Sequence, residues 1–324
     1  MQLYPVDNER FPRFDLPLRA PGYRWWYIDA TSTDHSRAIA VIAFRGSVFS
    51  PYYRRARRTA AADADHHVAL NVAVYGGNSQ RWAMTERGRN NLHCAPQLLR
   101  IGQSQLHWQD ELLIIDIHER CAPLPRALRG QLRIRLGPAQ ARQFALDRQA
   151  KHVWWPLAPL ASIEVDLSHP RQQWQGRAYV DSNAGSEPLE QAFSHWDWCR
   201  TTNGQSDHQQ DNAMILYNRI MRDGSEQRLA VQIDADGQLS SIPPPPAATL
   251  PTTRWRLPRS TGSENANARL LQTLESAPFY ARSLISTQLA GQQRVAMHEN
   301  LDCQRLIRTS TQLMLPFRMP RWVW

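Results

Sequence analysis

From Tyr23 to Val180 the chain is cut into short apolar and aromatic runs, each closed by a polar, glycine or proline turn. Tyr23 to Ser32, Ala38 to Phe44, His67 to Tyr75, Gln80 to Thr85, Gln97 to Ile101, Leu112 to His118 and Gln131 to Leu136 follow one another at short intervals. They are rich in β-branched and aromatic residues, which suit a pleated, half-buried surface. Ser162 to Leu167 and Gln173 to Val180 complete the set. Runs this short and this regular predict an all-β sandwich or barrel and not a βαβ array. After Pro188 the pattern resumes with Phe193 to Thr201, Ala213 to Tyr217 and Arg228 to Ile233, with turns at Asn203-Gly204, Asp223-Gly224 and Asp236-Gly237. Two β-rich halves, 1–188 and 189–324, are therefore expected. Helical spacing is scarce: Leu301 to Leu313 is the better candidate and Ala266 to Leu274 the poorer. Pro243 to Pro246 reads as a stiff polyproline loop inside the second half.

A chain of 324 residues, 42% hydrophobic and 21% charged, can bury a core in each half. No apolar run approaches the ~20 residues that span a bilayer as a helix. The first residues, Met1 to Glu9, lack the basic start and apolar centre of a signal peptide, so a cytoplasmic location is expected. The net charge of +9 is almost wholly arginine, Lys151 being the sole lysine. Such a surface suits nucleic acid, anionic lipid or acidic ligands, and it equally reflects an arginine-rich codon bias. No nucleic-acid-binding module surrounds the arginines, so no nucleic-acid partner is expected. The four cysteines, Cys94, Cys121, Cys199 and Cys303, form no C-x-x-C pair, which leaves a zinc or redox site unsupported. Neither a G-x-S-x-G nor a glycine-rich phosphate loop opening a helix is present, so serine-hydrolase and nucleotide chemistry lack their motifs.

Two spacings point to chemistry. Tyr179 and Asp181 are two apart, as are His152 and Trp154, and on a strand residues two apart face the same side. If both strands line one pocket, an acid, an imidazole and two electron-rich rings meet there. That lining suits an apolar molecule which is protonated and passes through a cation. The competing reading is that the rings are core and the polar pair caps backbone at a rim. Gly176 and Gly185 flank the second pair and suggest close backbone approach or bulges. Elsewhere, Gly46 to Arg58 leaves a strand for an aromatic-basic segment that could be a lid or, through Tyr52 to Arg58, a helix that meets a membrane, with Phe49, Tyr52 and Tyr53 at the interface and Arg54, Arg55, Arg57 and Arg58 on lipid phosphates; a solvated helix face is the alternative. His66 and His67 point to opposite faces of a strand and do not naturally share a metal. His195 and Asp197 share a face in His195-Trp-Asp-Trp-Cys199, where a packed strand is the simpler reading.

Several longer motifs resemble a known family. Ala43-Phe-Arg-Gly-Ser-Val-Phe-Ser-Pro-Tyr-Tyr53, Arg81-Trp-Ala-Met-Thr-Glu-Arg-Gly88, His152-Val-Trp-Trp-Pro-Leu-Ala-Pro159, Tyr179-Val-Asp-Ser-Asn183, Glu187-Pro-Leu-Glu190, Trp196-Asp-Trp198, Pro278-Phe-Tyr-Ala-Arg282 and Leu315-Pro-Phe-Arg-Met-Pro-Arg321 are similar to those of the carotenoid 1,2-hydratases (hydroxyneurosporene synthases) of phototrophic bacteria. The resemblance spreads over nearly the whole chain. It implies two lipocalin-like β-barrel domains, peripheral association with the inner or intracytoplasmic membrane, no cofactor, and addition of water to the end of an acyclic carotene. The family's functional residues carry over onto His152, Trp154, Tyr179 and Asp181, the four that strand alternation selects. Trp155 and Asn183, inside the same two motifs, are expected at the substrate. Ala178 stands where the family has glycine, and its methyl is expected to narrow the pocket or alter substrate choice while leaving all four chemical groups in place.

On this reading Asp181 is the proton donor, since an isolated alkene is a feeble base. Burial is expected to lift its carboxyl above the ordinary ~3.9 so that it is protonated near neutral pH. Trp154 and Tyr179 then face a tertiary cation, and His152 either positions the acid or orients water. Two other functions fit the same strands: a non-catalytic carrier of apolar terpenoids, and an isoprenoid cyclase in which an internal group traps the cation.

Overall fold

The computed structural model describes residues 3–5, 13–58, 62–77, 80–140, 142–203 and 212–322. The chain divides into two compact units, residues 1–188 with 313–324, and residues 189–312. Strands account for nearly all the regular structure of both, as the runs of β-branched and aromatic residues predict.

The first unit contains β1 (Leu3–Pro5), β2 (Tyr23–Ser32), β3 (Ala38–Arg45), β4 (Val68–Tyr75), β5 (Arg81–Arg87), β6 (Leu92–Ala95), β7 (Leu98–Ile101), β8 (Ser104–Gln109), β9 (Leu112–Arg120), β10 (Ala127–Arg135), β11 (Arg142–Ala145), β12 (His152–His169) and β13 (Arg171–Gly185). Its main path runs β5-β4-β3-β2-β13-β12-β10-β9-β8-β7-β6, every pair antiparallel, with β1 and β11 attached beside β12. The sheet curls, and Arg87 on β5 donates to Glu119 on β9 at 2.7 Å. Inside the curl lies an apolar cluster that includes Trp26, Ile28, Val41, Leu70, Ile115, Ile134, Trp155, Leu157, Ala178 and Val180.

β12 is a single strand of 18 residues although Pro156 and Pro159 lie within it. Its register with β13 shifts between Trp155 and Ala158 and again between Ala158 and Ala161. The prolines, which have no N–H for the ladder, sit at these irregularities, where proline is tolerated. In sequence the same stretch reads as separate segments, His152 to Trp154 and Ser162 to Leu167. One short helix, α1 (Pro51–Arg57), interrupts the unit; Ser50 caps it by accepting from the Tyr53 N–H at 2.9 Å, and Pro51 opens it.

The second unit holds α2 (Leu189–Ala192), β14 (Phe193–Asn203), β15 (Asn212–Met221), β16 (Glu226–Ile233), β17 (Leu239–Ser241), β18 (Ala247–Leu250), β19 (Arg259–Gly262), β20 (Ala268–Ser276), β21 (Tyr280–Leu289), β22 (Gln292–Asp302) and α3 (Cys303–Leu306). Seven strands pair in the order β17-β16-β15-β14-β22-β21-β20, with β18 and β19 as a separate pair. Ala266 to Leu274, read from sequence as a weak helix, falls mostly on β20. The better helical candidate is displaced: β22 runs on to Asp302, and α4 (Thr309–Arg318) follows α3. The last residues return to the first unit, where β23 (Arg321–Trp322) pairs in parallel with β5. This corrects the assignment of residues 313–324 to the second half. One backbone ladder and the Arg318 guanidinium over the Trp82 ring hold the segment there, 4.3 Å from the centroid.

Candidate functional site

Pairing of β13 with both β12 and β2 lays residues from three strands in rows on one face. His152 stands opposite Gly185 and Tyr23, Trp154 opposite Asn183 and Trp25, Asp181 opposite Tyr27, and Tyr179 opposite Asp29. Directly opposed residues share a face and touch. This face is the one turned away from the apolar cluster inside the curl, because Trp155, Ala178 and Val180, which alternate with the site residues, belong to that cluster. It is nevertheless buried: His152, Trp154 and Tyr179 are 0% exposed and Asp181 is 4% exposed.

At its centre one indole and one phenol converge on a carboxylate oxygen. The Trp154 Nε1–H donates to Asp181 Oδ2 at 3.0 Å and, at 3.2 Å, to the Tyr179 hydroxyl. The Tyr179 hydroxyl itself donates to Asp181 Oδ2 at 2.9 Å. Burial, reinforced by the neighbouring Asp181 carboxyl, pushes the Tyr179 phenol well above its usual pKa, so it stays a neutral donor. Aromatic rings surround the trio: Phe144, opposite Trp154 in register, lies 5.3 Å from it between centroids, and Tyr27 lies 6.2 Å from Tyr179.

His152 is held from several sides. Its Nδ1 meets the Tyr23 hydroxyl at 2.8 Å, its backbone N–H donates to Asp147 at 2.7 Å, and its Nε2 lies 3.7 Å from Glu187 Oε1. Glu187 accepts from Lys151 at 2.7 Å through its other oxygen. Burial lowers the imidazole pKa, opposed by the charges of Asp147 and Glu187, and the net result is a neutral ring near pH 7. Gly185 makes the Tyr23–His152 contact possible: a Cβ there would sit 2.3 Å from a Tyr23 ring carbon and 2.8 Å from His152 Nδ1. Gly176 is needed for a similar reason, since its Cβ would lie 2.0 Å from the Thr31 carbonyl.

The structure thus brings His152, Trp154, Tyr179, Asp181 and Asn183 to one face, and it does not bring Trp155 there. Trp155 packs in the apolar cluster and donates its indole N–H to the Gln140 carbonyl at 2.5 Å. Asn183 is buried, and its Nδ2 has no hydrogen-bond partner among the described residues. Ala178 faces the apolar cluster, so its methyl packs against core and does not narrow the face that carries Asp181. His67 is committed to Glu86 at 2.8 Å. Tyr23, Trp25, Tyr27 and Asp29 join this face without being singled out by any sequence motif. Their two-residue spacing within β2 was visible, but nothing local says that β2 lies beside β13.

A family model for carotenoid hydratase CrtC matches residues 41–324. The chain belongs to that family. It is 47% identical over 317 residues to the acyclic carotenoid 1,2-hydratase of Thiocapsa roseopersicina, an alignment covering 97% of this chain and 77% of that protein. The enzyme of the same name from Rubrivivax gelatinosus is 43% identical over 96% of this chain and 76% of its own length, and that from Cereibacter sphaeroides 36% identical over 87% and 98%. Among solved structures, an AttH-type protein from Nitrosomonas europaea superposes with a TM-score of 0.58 at 13% identity, covering 88% of this chain and 92% of that one. CghA, solved with Sch210972, superposes at 0.52 with 11% identity, covering 93% and 98%. At such identities the match speaks to fold alone, and it places this hydratase-family chain among all-β, lipocalin-like proteins.

Proposed function

We propose that the chain is an acyclic carotenoid 1,2-hydratase, adding water across the terminal C1=C2 double bond of a lycopene- or neurosporene-type carotene. The observation that carries the mechanism is the Asp181 carboxyl, buried among rings with Trp154 and Tyr179 both donating to its Oδ2. Two donors on Oδ2 leave Oδ1 as the oxygen that bears the acid proton. Asp181 delivers that proton to C2, and the tertiary cation at C1 faces the rings of Trp154 and Tyr179, an attraction of roughly 2 kcal/mol in a dry site. Water adds at C1 and releases one proton, which returns the site to its starting charge. Alkene plus water gives alcohol, so the step balances without a redox partner.

Asn183 presents a buried amide donor beside this trio, suited to hold the attacking water. Neutral His152, anchored through Nδ1 to Tyr23, is suited to orient that water and take its proton, with half-buried Glu187 leading outward from Nε2. A carotene dissolves in the bilayer, so we place the enzyme against the cytoplasmic side of the inner or intracytoplasmic membrane, with α1 and its arginines at the lipid. No helix among the described residues is long and apolar enough to cross a membrane.

The test is incubation of purified protein with dispersed lycopene or neurosporene in H₂¹⁸O, with product analysis by mass spectrometry. A labelled tertiary alcohol is expected. Unchanged carotene that remains bound would replace the proposal with a carrier, and an unlabelled isomer would replace it with a cyclase.

A further inference from the structure

Seven large hydrophobic side chains are exposed among the described residues, and four of them fall within ten positions: Leu313 (68%), Met314 (45%), Phe317 (72%) and Trp322 (51%). The other three, Leu124, Trp255 and Leu271, are scattered. Single exposed apolar residues are ordinary, whereas a cluster marks an interaction surface. Helical spacing explains how it forms. Thr311, Leu315 and Met319 recur every four residues and are buried, which turns Leu313, Met314 and Phe317 outward together. The helix thus presents an apolar stripe on each side, one packed and one bare.

The two chain segments that meet here are basic in sequence, and the acid beside them, Glu86, is buried and paired with Arg321. No acidic residue follows Asp302, and none lies between Pro51 and Arg58. Arg321 joins the C-terminal segment to α1: its guanidinium lies 5.7 Å from the Tyr52 ring centroid, donates to the His66 carbonyl at 2.9 Å and pairs with Glu86. α1 and the C-terminal segment thus belong to the same unit and meet through Arg321 and Tyr52, with Arg318 in the same helix as the exposed residues.

We propose that residues 313–322 insert their apolar side chains into the interfacial layer of an anionic bilayer, with the neighbouring arginines on lipid phosphates. Leucine and phenylalanine beside arginine is the composition of helices that lie in that layer, and tryptophan favours headgroup depth. A second copy fits the face poorly, because an isologous contact would set arginines against arginines. The surface stands on these exposed residues alone. Its use, drawing substrate from the bilayer, rests on the hydratase reading.

The experiment is co-sedimentation with vesicles of phosphatidylcholine alone or mixed with phosphatidylglycerol, together with sedimentation velocity of the free protein. The wild type is expected to bind the anionic vesicles, more weakly as salt rises, and to remain unassociated without lipid. Leu313→Asp/Phe317→Asp should lower vesicle partitioning tenfold or more, and Arg54→Glu/Arg55→Glu should abolish the preference for anionic lipid. Both variants should turn over detergent-dispersed carotene at the wild-type rate. Equal binding by the Leu313/Phe317 variant, equal wild-type binding to neutral vesicles, or a wild-type dimer that this variant dissolves would each overturn the proposal. Absence of turnover by the wild type in detergent would instead count against the hydratase reading and leave the vesicle result standing.

Discussion

Replacing Asp181 by asparagine removes one acidic proton and almost nothing else. The amide oxygen can still accept the Trp154 and Tyr179 donors that now reach Oδ2 at 3.0 and 2.9 Å, so the rings keep their places. What is lost is the donor to C2, and an amide N–H is far too weak an acid to replace it. Positioned general acids commonly contribute 10²–10⁴-fold, or about 3–5 kcal/mol of barrier at 1.36 kcal/mol per tenfold. The upper end is expected, because the alkene has no acidic group of its own. A hydrogen-bond change at a buried carboxyl costs about 1–2 kcal/mol of stability. For the first unit, of roughly 200 residues, that shifts the melting temperature by less than about 8 °C. The assay pairs initial rates of ¹⁸O-labelled alcohol formation from dispersed lycopene with thermal unfolding of the same preparations. An Asp181→Asn protein that melts near the wild type and keeps more than a tenth of its rate would refute Asp181 as the acid.

Trp154→Phe should keep a ring for the cation while losing the Nε1 donor, and so retain more activity than Trp154→Leu; equal losses in steady-state rate would point to shape alone. Gly185→Ala should lose about 1–3 kcal/mol of stability through overpacking against Tyr23 and His152, read by urea unfolding, together with most of its activity. An Ala variant of wild-type stability would show that the two rings can part at no cost. The second unit should have a pH optimum of stability. Burial opposes ionisation of Asp197, yet hydrogen bonds from His195 and His298 hold its carboxyl below the usual range; burial likewise opposes charge on His195, yet Asp197 raises its pKa. The depressed carboxyl stabilises above its unfolded pKa of ~3.9 and loses that contribution as acid protonates it. The raised imidazole stabilises below ~6.5 and loses its contribution as pH rises through the folded value. Melting temperature should therefore be highest between about 4 and 6.5, and His195→Gln should flatten the alkaline fall; an unchanged fall would remove His195 as its source.

Periodicity is what can be read directly from the residues. Two-residue spacing selected His152 with Trp154 and Tyr179 with Asp181, because alternation is a property of any strand and needs no neighbour. The same spacing carried Tyr23, Trp25 and Tyr27, and strand-forming composition set the all-β class. Which face is which depends on how the strands pair in the folded chain. Alternation already parts Trp155 from Trp154 and keeps Asn183 with Asp181; the fold decides that the side Trp155 takes is the apolar cluster. It also set Ala178 against core, joined β12 across Pro156 and Pro159 by shifting its register, made Ala268 to Ser276 a strand through its pairing with β21, and brought residues 313–324 back to β5. The reason is physical. Alternation tells which side chains share a face, but which face is covered and which strand lies alongside depend on pairings between residues more than a hundred positions apart, such as Tyr27 with Asp181, and no local spacing encodes them.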